Sequence, residues 1–174
     1  MAEDAGASSA GAHLPTPATG SLRGGEWDRP THIPAHVRAS ADASHFTPRS
    51  QGGLPRPTVA VFRGQELLSN RPDPAIAADL RWEPFPRPND ALYVHAETKV
   101  AAIMRSESLT EAEITIDNTV CGTRDFDRDK AWTCDKVLPS IMPPKSRLTV
   151  WATDDGGKMW ARGVYVGTGE RIRK

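Results

Sequence analysis

This chain lacks any apolar run of about eighteen residues, so its sequence offers no helix to span a bilayer and no membrane insertion is expected. It is short of aromatics, at 6%, and only 38% of its 174 residues are hydrophobic. With a mean hydropathy of −0.50, part of the chain is expected not to pack. Charge of one sign is also missing: 22 Lys plus Arg stand against 22 Asp plus Glu. That excludes a histone-like basic binder and an acidic tail, although a neutral chain can still gather its cations on one face. The opening Met1-Ala2-Glu3-Asp4 has neither a basic n-region nor an apolar h-region, so no Sec-type signal is expected. Two cysteines, Cys121 and Cys134, are too few for a disulfide scaffold and suffice for one bridge or one metal.

Residues 1–54 are read as a disordered leader or linker, and 55–174 as the folded domain. Large aliphatics are sparse in the leader (Leu14, Leu22, Ile33, Val37), and no periodicity is sustained. Such a segment buries too little apolar surface to offset an ordering entropy of roughly 1–2 kcal/mol per residue. His13, His32, His36 and His45 lie there at irregular spacings with no cysteine near, which favours a plain linker over a metal site.

From Leu54 onward the texture changes. Thr58–Phe62 is a β-type run, Arg63-Gly64-Gln65 a turn, and Glu66–Leu68 a returning strand. Pro72-Asp73-Pro74 opens a short helix over Ala75–Trp82, and Pro84, Pro86 and Pro88 forbid regular structure after it. Alanines together with Val100, Ile103 and Met104 at helical spacing predict a helix from about His95 to Arg105. Glu113–Asp117 alternates as a strand, a loop holds both cysteines, and Asp135–Met142 is a short helix stopped by Pro143-Pro144. Leu148–Trp151 and Met159–Val166 are the last strands. Only Thr153 to Lys158 joins them, too little for a parallel crossover, so the last strand is expected to run antiparallel to its neighbour.

Chemistry concentrates in His95-x-Glu97, Cys121 and Cys134. One imidazole and two thiolates are zinc donors that leave a fourth tetrahedral position open, where a water can be activated near neutral pH. Zinc deaminases carry H-x-E followed by P-C-x-x-C, with the Glu not a ligand. Here twelve residues, Gly122 to Thr133, separate the cysteines, and Val120 rather than proline precedes Cys121. His95 and Glu97 face one site only at the irregular first turn of a helix. Convergence of that turn with the start of the Cys134 helix would favour thiolates and a negatively charged intermediate. A zinc peptidase fails, because position 99 is Lys99 and not the second His that such a helix needs. A non-catalytic binding module, with the cysteines in a disulfide or a structural zinc site, is the rival from another class.

The segments Val94-His95-Ala96-Glu97, Asp117-Asn118, Thr119-Val120-Cys121, Cys134-Asp135-Lys136-Val137-Leu138-Pro139 and Leu148-Thr149-Val150 resemble the DddA-like bacterial toxin deaminases of the cytidine deaminase superfamily. The resemblance runs from about residue 57 to 170. It implies a three-layer α/β fold, a five-stranded mixed sheet flanked by helices with the last strand antiparallel. It also implies zinc-dependent hydrolytic deamination of cytosine to uracil in single- or double-stranded DNA, with zinc on His95, Cys121 and Cys134 and proton transfer by Glu97. RNA and free nucleosides are the alternative substrates. The resemblance further implies the toxin domain of a secreted interbacterial effector, acting in the target-cell cytoplasm and opposed by a cognate immunity protein; a monomer is expected.

Three residues are substrate-binding candidates. Phe126 and Trp132, in the inter-cysteine loop, either stack on a base or pack the loop on the core. Asn118 either contacts the sugar or base edge, as the resemblance implies, or simply forms the turn. The alternating charges from Arg124 to Lys130 read as a solvated loop with weak local ion pairs. Lys158, Arg162, Arg171, Arg173 and Lys174 are candidates for phosphate contact.

Overall fold

Alternation along two central strands sets the layering. A computed structural model describes residues 24–49, 56–70, 72–81, 93–130 and 132–173. Strand β4 (Glu111–Ile116) turns Ile114 and Ile116 to one face, and β5 (Arg147–Ala152) turns Leu148, Val150 and Ala152 the same way. Trp151 points to the opposite face, into a second cluster. The two strands pair in parallel, Glu111 opposite Arg147 through Ile116 opposite Ala152.

Around this pair the sheet has the order β1-β6-β5-β4-β2-β3, in which β1 is Glu26–Asp28, β2 Val59–Phe62, β3 Gln65–Leu68 and β6 Ala161–Val166. Every other pairing is antiparallel, including β5 with β6, as the short connection requires. The sheet is therefore mixed, with six strands rather than the expected five, and the additional strand is β1.

Helix α2 (Ala96–Ser106) and helix α3 (Cys134–Ile141) cover the main face. Val100, Ala101 and Met104 of α2, with Val137 and Leu138 of α3, have no measurable exposure. Burying such an aliphatic side chain is worth about 1.5–3 kcal/mol, which is what holds these helix ends in place. On the other face lies α1 (Ala35–Ala43), whose Val37 and Ala41 pack with Ile33 against Trp151 and Trp160. His36 Nε2 meets Glu113 Oε1 of β4 at 2.5 Å, and Trp151 Nε1 donates to the other oxygen of that carboxylate.

Both β1 and α1 belong to the stretch expected to be a disordered leader. That expectation is corrected for residues 24–49, while residues 1–23 lie outside the described residues. Pairing of β1 with β6, and the apolar cluster under α1, provide what the local sequence does not. Other boundaries move for local reasons. The expected helix Ala75–Trp82 is a 3-10 turn, Pro74–Ala77, capped by the Asp73 carboxylate, because Leu80 bridges to Ile172 and pulls the chain out of the turn. Trp82 and the prolines at 84–88 lie outside the described residues. The last strand begins at Ala161 rather than Met159, since the Asp155 carboxylate accepts from the Lys158 and Met159 amides and holds that loop closed.

Candidate metal and catalytic site

Two helix starts and one loop converge on the main face. His95 is the N-cap of α2, in extended backbone (φ −69°, ψ 143°), and its carbonyl accepts from Lys99 N. Glu97 follows in the first turn, where a carboxylate also suits the helix dipole, and it is only 4% exposed. Cys134 is the first residue of α3, behind an extended Thr133 N-cap, and is fully buried. Cys121 stands in the loop after β4, and its carbonyl accepts from Asp135 N at 3.0 Å, which ties that loop to the start of α3.

Between them, Gly122 has φ +97°, and a Cβ there would fall 2.1 Å from Thr133 Oγ1. Only glycine admits this approach without a shift, so Gly122 sets how closely the two cysteines meet.

His95 Nδ1 lies 2.9 Å from Cys134 Sγ, and the donor atoms of His95, Cys121 and Cys134 all fall within 4.8 Å of one another. Two donors of a tetrahedral zinc, each roughly 2.0–2.3 Å from the ion, stand about 3.5–3.8 Å apart, so this donor set fits that ion in kind and in span. His32, His36 and His45 join no such group among the described residues. Both cysteines are free thiols, so the disulfide alternative is not the arrangement found.

Charge in the site is shared among neighbours. A hydrogen bond from Cys134, reinforced by His95, brings the Cys121 thiol down to about 4 against the cost of burial. The same hydrogen bond and burial push Cys134 well above the usual thiol range. Burial opposes charge on His95, but its hydrogen bond to Cys121 and the nearby Glu97 raise its pKa overall. Burial likewise raises Glu97, more than the neighbouring His95 lowers it. Burial thus works against charge at Glu97 and Cys134, while hydrogen bonds favour it at Cys121.

The profile of the SCP1.201-like deaminases matches residues 25–167. The chain belongs to that family. No curated protein matches it significantly. The matched span begins at Gly25, so it takes in β1 and α1 together with the metal-type cluster.

The remaining sequence candidates separate. Phe126 is 71% exposed, with the Arg124 guanidinium 4.6 Å from its ring centroid, whereas Trp132 is half-buried against the core. The Asn118 amide donates to Thr58 Oγ1 at 2.8 Å and accepts from Thr119 N at 2.9 Å, which gives both of its ends a turn-forming role. Arg124–Asp127 and Arg128–Asp125 are local pairs within the loop. Of the basic candidates, Arg162 is paired with Asp28, Arg173 donates to the Leu80 carbonyl and Arg171 lies against the Trp132 ring. Lys158 makes no such contact among the described residues, outside which Lys174 lies.

Two groups that support the site were not found from sequence. Asp135 Oδ1 accepts from Gly25 N, Trp27 Nε1 and Tyr165 OH, joining the start of α3 to β1 and β6. Asp117, 1% exposed at the end of β4, accepts from Arg49, Arg56 and Val59 N, fixing the turn that leads into Asn118 and Cys121. An acid next to a ligand in Cys134-Asp135 is the one sequence signal for the first. For the second there is none, because its arginines come from distant segments.

Proposed function

We propose that this deaminase converts cytosine to uracil in DNA and that it uses zinc. The observation that carries the reading is the convergence of His95, Cys121 and Cys134 beside a buried Glu97 at the start of α2. Zinc held by those three residues supplies a Lewis acid that makes water a competent nucleophile near neutral pH.

Glu97 does the proton work. As water adds to C4 of the ring, the carboxylate takes one of its protons and delivers it to N3. It then moves the remaining proton of the added hydroxyl to the amino group. The C4–N bond breaks, ammonia leaves and the C4 carbonyl forms, so one water is consumed for each ammonia released. Burial suits Glu97 to this task, because its raised pKa lets the carboxyl hold a proton between the two transfers. At the start of α3 the Cys134 backbone N–H donates to the Cys121 sulfur and favours its thiolate.

A DNA base must leave its stack to reach such a site, and the exposed Phe126 ring on the inter-cysteine loop is suited to take the stacking it gives up. The likeness of the His95 and Cys134 segments to DddA-like toxins supports an interbacterial toxin. Such a toxin would be delivered to a target-cell cytoplasm, act as a monomer and be opposed by an immunity protein. The test is uracil formation on matched single- and double-stranded DNA by zinc-loaded protein, with Glu97→Ala alongside. Uracil that disappears in Glu97→Ala while zinc stays bound supports the reading. Undiminished uracil in that variant sinks the mechanism, and uracil in RNA or free cytidine alone moves the substrate.

A further inference from the structure

Three cations that the fold leaves unpaired share one cavity. Arg29, after β1, Arg38, on α1, and Lys158, between β5 and β6, line a cavity of about 420 Å³. All three are exposed, and none makes a side-chain hydrogen bond or ion pair among the described residues. Several other arginines are committed: Arg49 and Arg56 to Asp117, Arg105 to Asp79, Arg124 to Asp127 and Arg162 to Asp28. In the cavity lining, the three cations face a single carboxylate, Asp154. Like charges brought together from three separate elements raise each other's energy, and an anion in their midst relieves it.

The cavity also has an apolar wall and a definite place. Trp160, buried, and Met159, 64% exposed, form part of its lining. Thr119 lines it as well, and Cys121 follows two residues later, which the chain can span with at most about 7 Å. The cavity opens on the α1 side of the sheet, and the segment from Thr119 to Cys121 joins it to the His95–Cys121–Cys134 cluster on the main face. Spaced guanidinium and ammonium groups beside an apolar wall match alternating phosphates and sugars, and they offer a free nucleoside nothing.

We propose that this cavity seats the sugar–phosphate backbone of a polynucleotide strand whose base enters the metal-type site, with Arg29, Arg38 and Lys158 on its phosphates. This rests on the polynucleotide reading given above. The three residues are positioning residues: they set affinity and register, and the chemistry stays with Glu97.

The test uses zinc-loaded Glu97→Ala protein, so that substrate is not consumed, and a fluorescein-labelled single-stranded oligonucleotide with one cytosine. Binding is titrated between 50 and 200 mM salt, a range of about the size that separates phosphate contacts from others. Changing Arg29, Arg38 and Lys158 together to Ala is expected to weaken binding at least tenfold at the low end. The slope of log affinity against log salt becomes shallower by about 2, at about 0.7 per phosphate contact. A second set, Arg81, Lys145 and Arg147 changed together to Ala, is equally exposed, has no side-chain partner among the described residues and should bind within about twofold of the parent. Lys158→Glu alone, on an exposed loop, should lower affinity at least threefold even if the triple variant folds poorly. Unchanged binding by both the triple variant and Lys158→Glu, or an equal loss in the second set, overturns the cavity while the polynucleotide reading stands. No binding by the parent to any oligonucleotide overturns both.

Discussion

Asp135→Ala removes one oxygen on which three donors converge. Gly25 N at 3.1 Å, Trp27 Nε1 at 2.9 Å and Tyr165 OH at 2.9 Å all give to Asp135 Oδ1, and Tyr165 is 1% exposed. A buried donor left without an acceptor costs about 1–3 kcal/mol. Tyr165 contributes toward the top of that range, and the half-buried Gly25 and Trp27 toward the bottom. The sum is about 3–5 kcal/mol, a large part of the roughly 5–15 kcal/mol that stabilises a domain. For a chain of this size the midpoint of thermal unfolding should fall by on the order of 10 °C. Asp135→Asn keeps an acceptor oxygen in place and should lose less than half as much.

The same substitution reaches the metal-type site, because Asp135 is the residue after Cys134 and its N–H holds the Cys121 carbonyl. Loosening the start of α3 should weaken zinc roughly 10–100-fold, as loss of an outer partner of a ligand does elsewhere. Urea unfolding with and without zinc, together with competition against a chromophoric chelator, measures both effects. A loss below about 1 kcal/mol in Asp135→Ala, with zinc affinity unchanged, would refute the argument that β1 braces the site through this carboxylate.

Gly122→Ala places a methyl where the Thr133 hydroxyl already lies, at a φ that L-residues rarely adopt. Zinc affinity and deamination should both fall at least tenfold, with far-UV circular dichroism little changed. Chelation of zinc should lower the unfolding midpoint of the wild-type protein and leave Cys134→Ser unaffected, since the metal stabilises only the state that binds it; thermal scans against free zinc concentration read this directly. The hydrogen bond from Arg105 holds the Asp79 carboxyl below its usual 3.8. That stabilisation is complete above about 3.8 and is lost as the pH falls through the lower folded value. With Asp79 half exposed it amounts to under about 1 kcal/mol, so Asp79→Asn should differ slightly from wild type at pH 7 and not at all in strong acid, by urea midpoints.

Chemistry-bearing positions were legible because local structure alone presents them. His95-x-Glu97 marks a helix start by its alanines, and Cys134 precedes an amphipathic turn, so both could be placed before any fold was known. The antiparallel last strand followed from chain length, since six residues cannot carry a crossover. Partnership was not legible. Glu26–Asp28 is a strand because β6 offers it hydrogen bonds, and Ala35–Ala43 is a held helix because Trp151 and Trp160 cover its few apolar residues. Neither segment has the periodicity to declare itself. Phe126 and Trp132 look alike in one loop, and only packing separates the exposed ring from the half-buried one. Sequence determined which groups this protein can use for chemistry. Tertiary structure decided which of them meet and which cations remain free, because contacts between distant segments depend on burial and pairing that no local window contains.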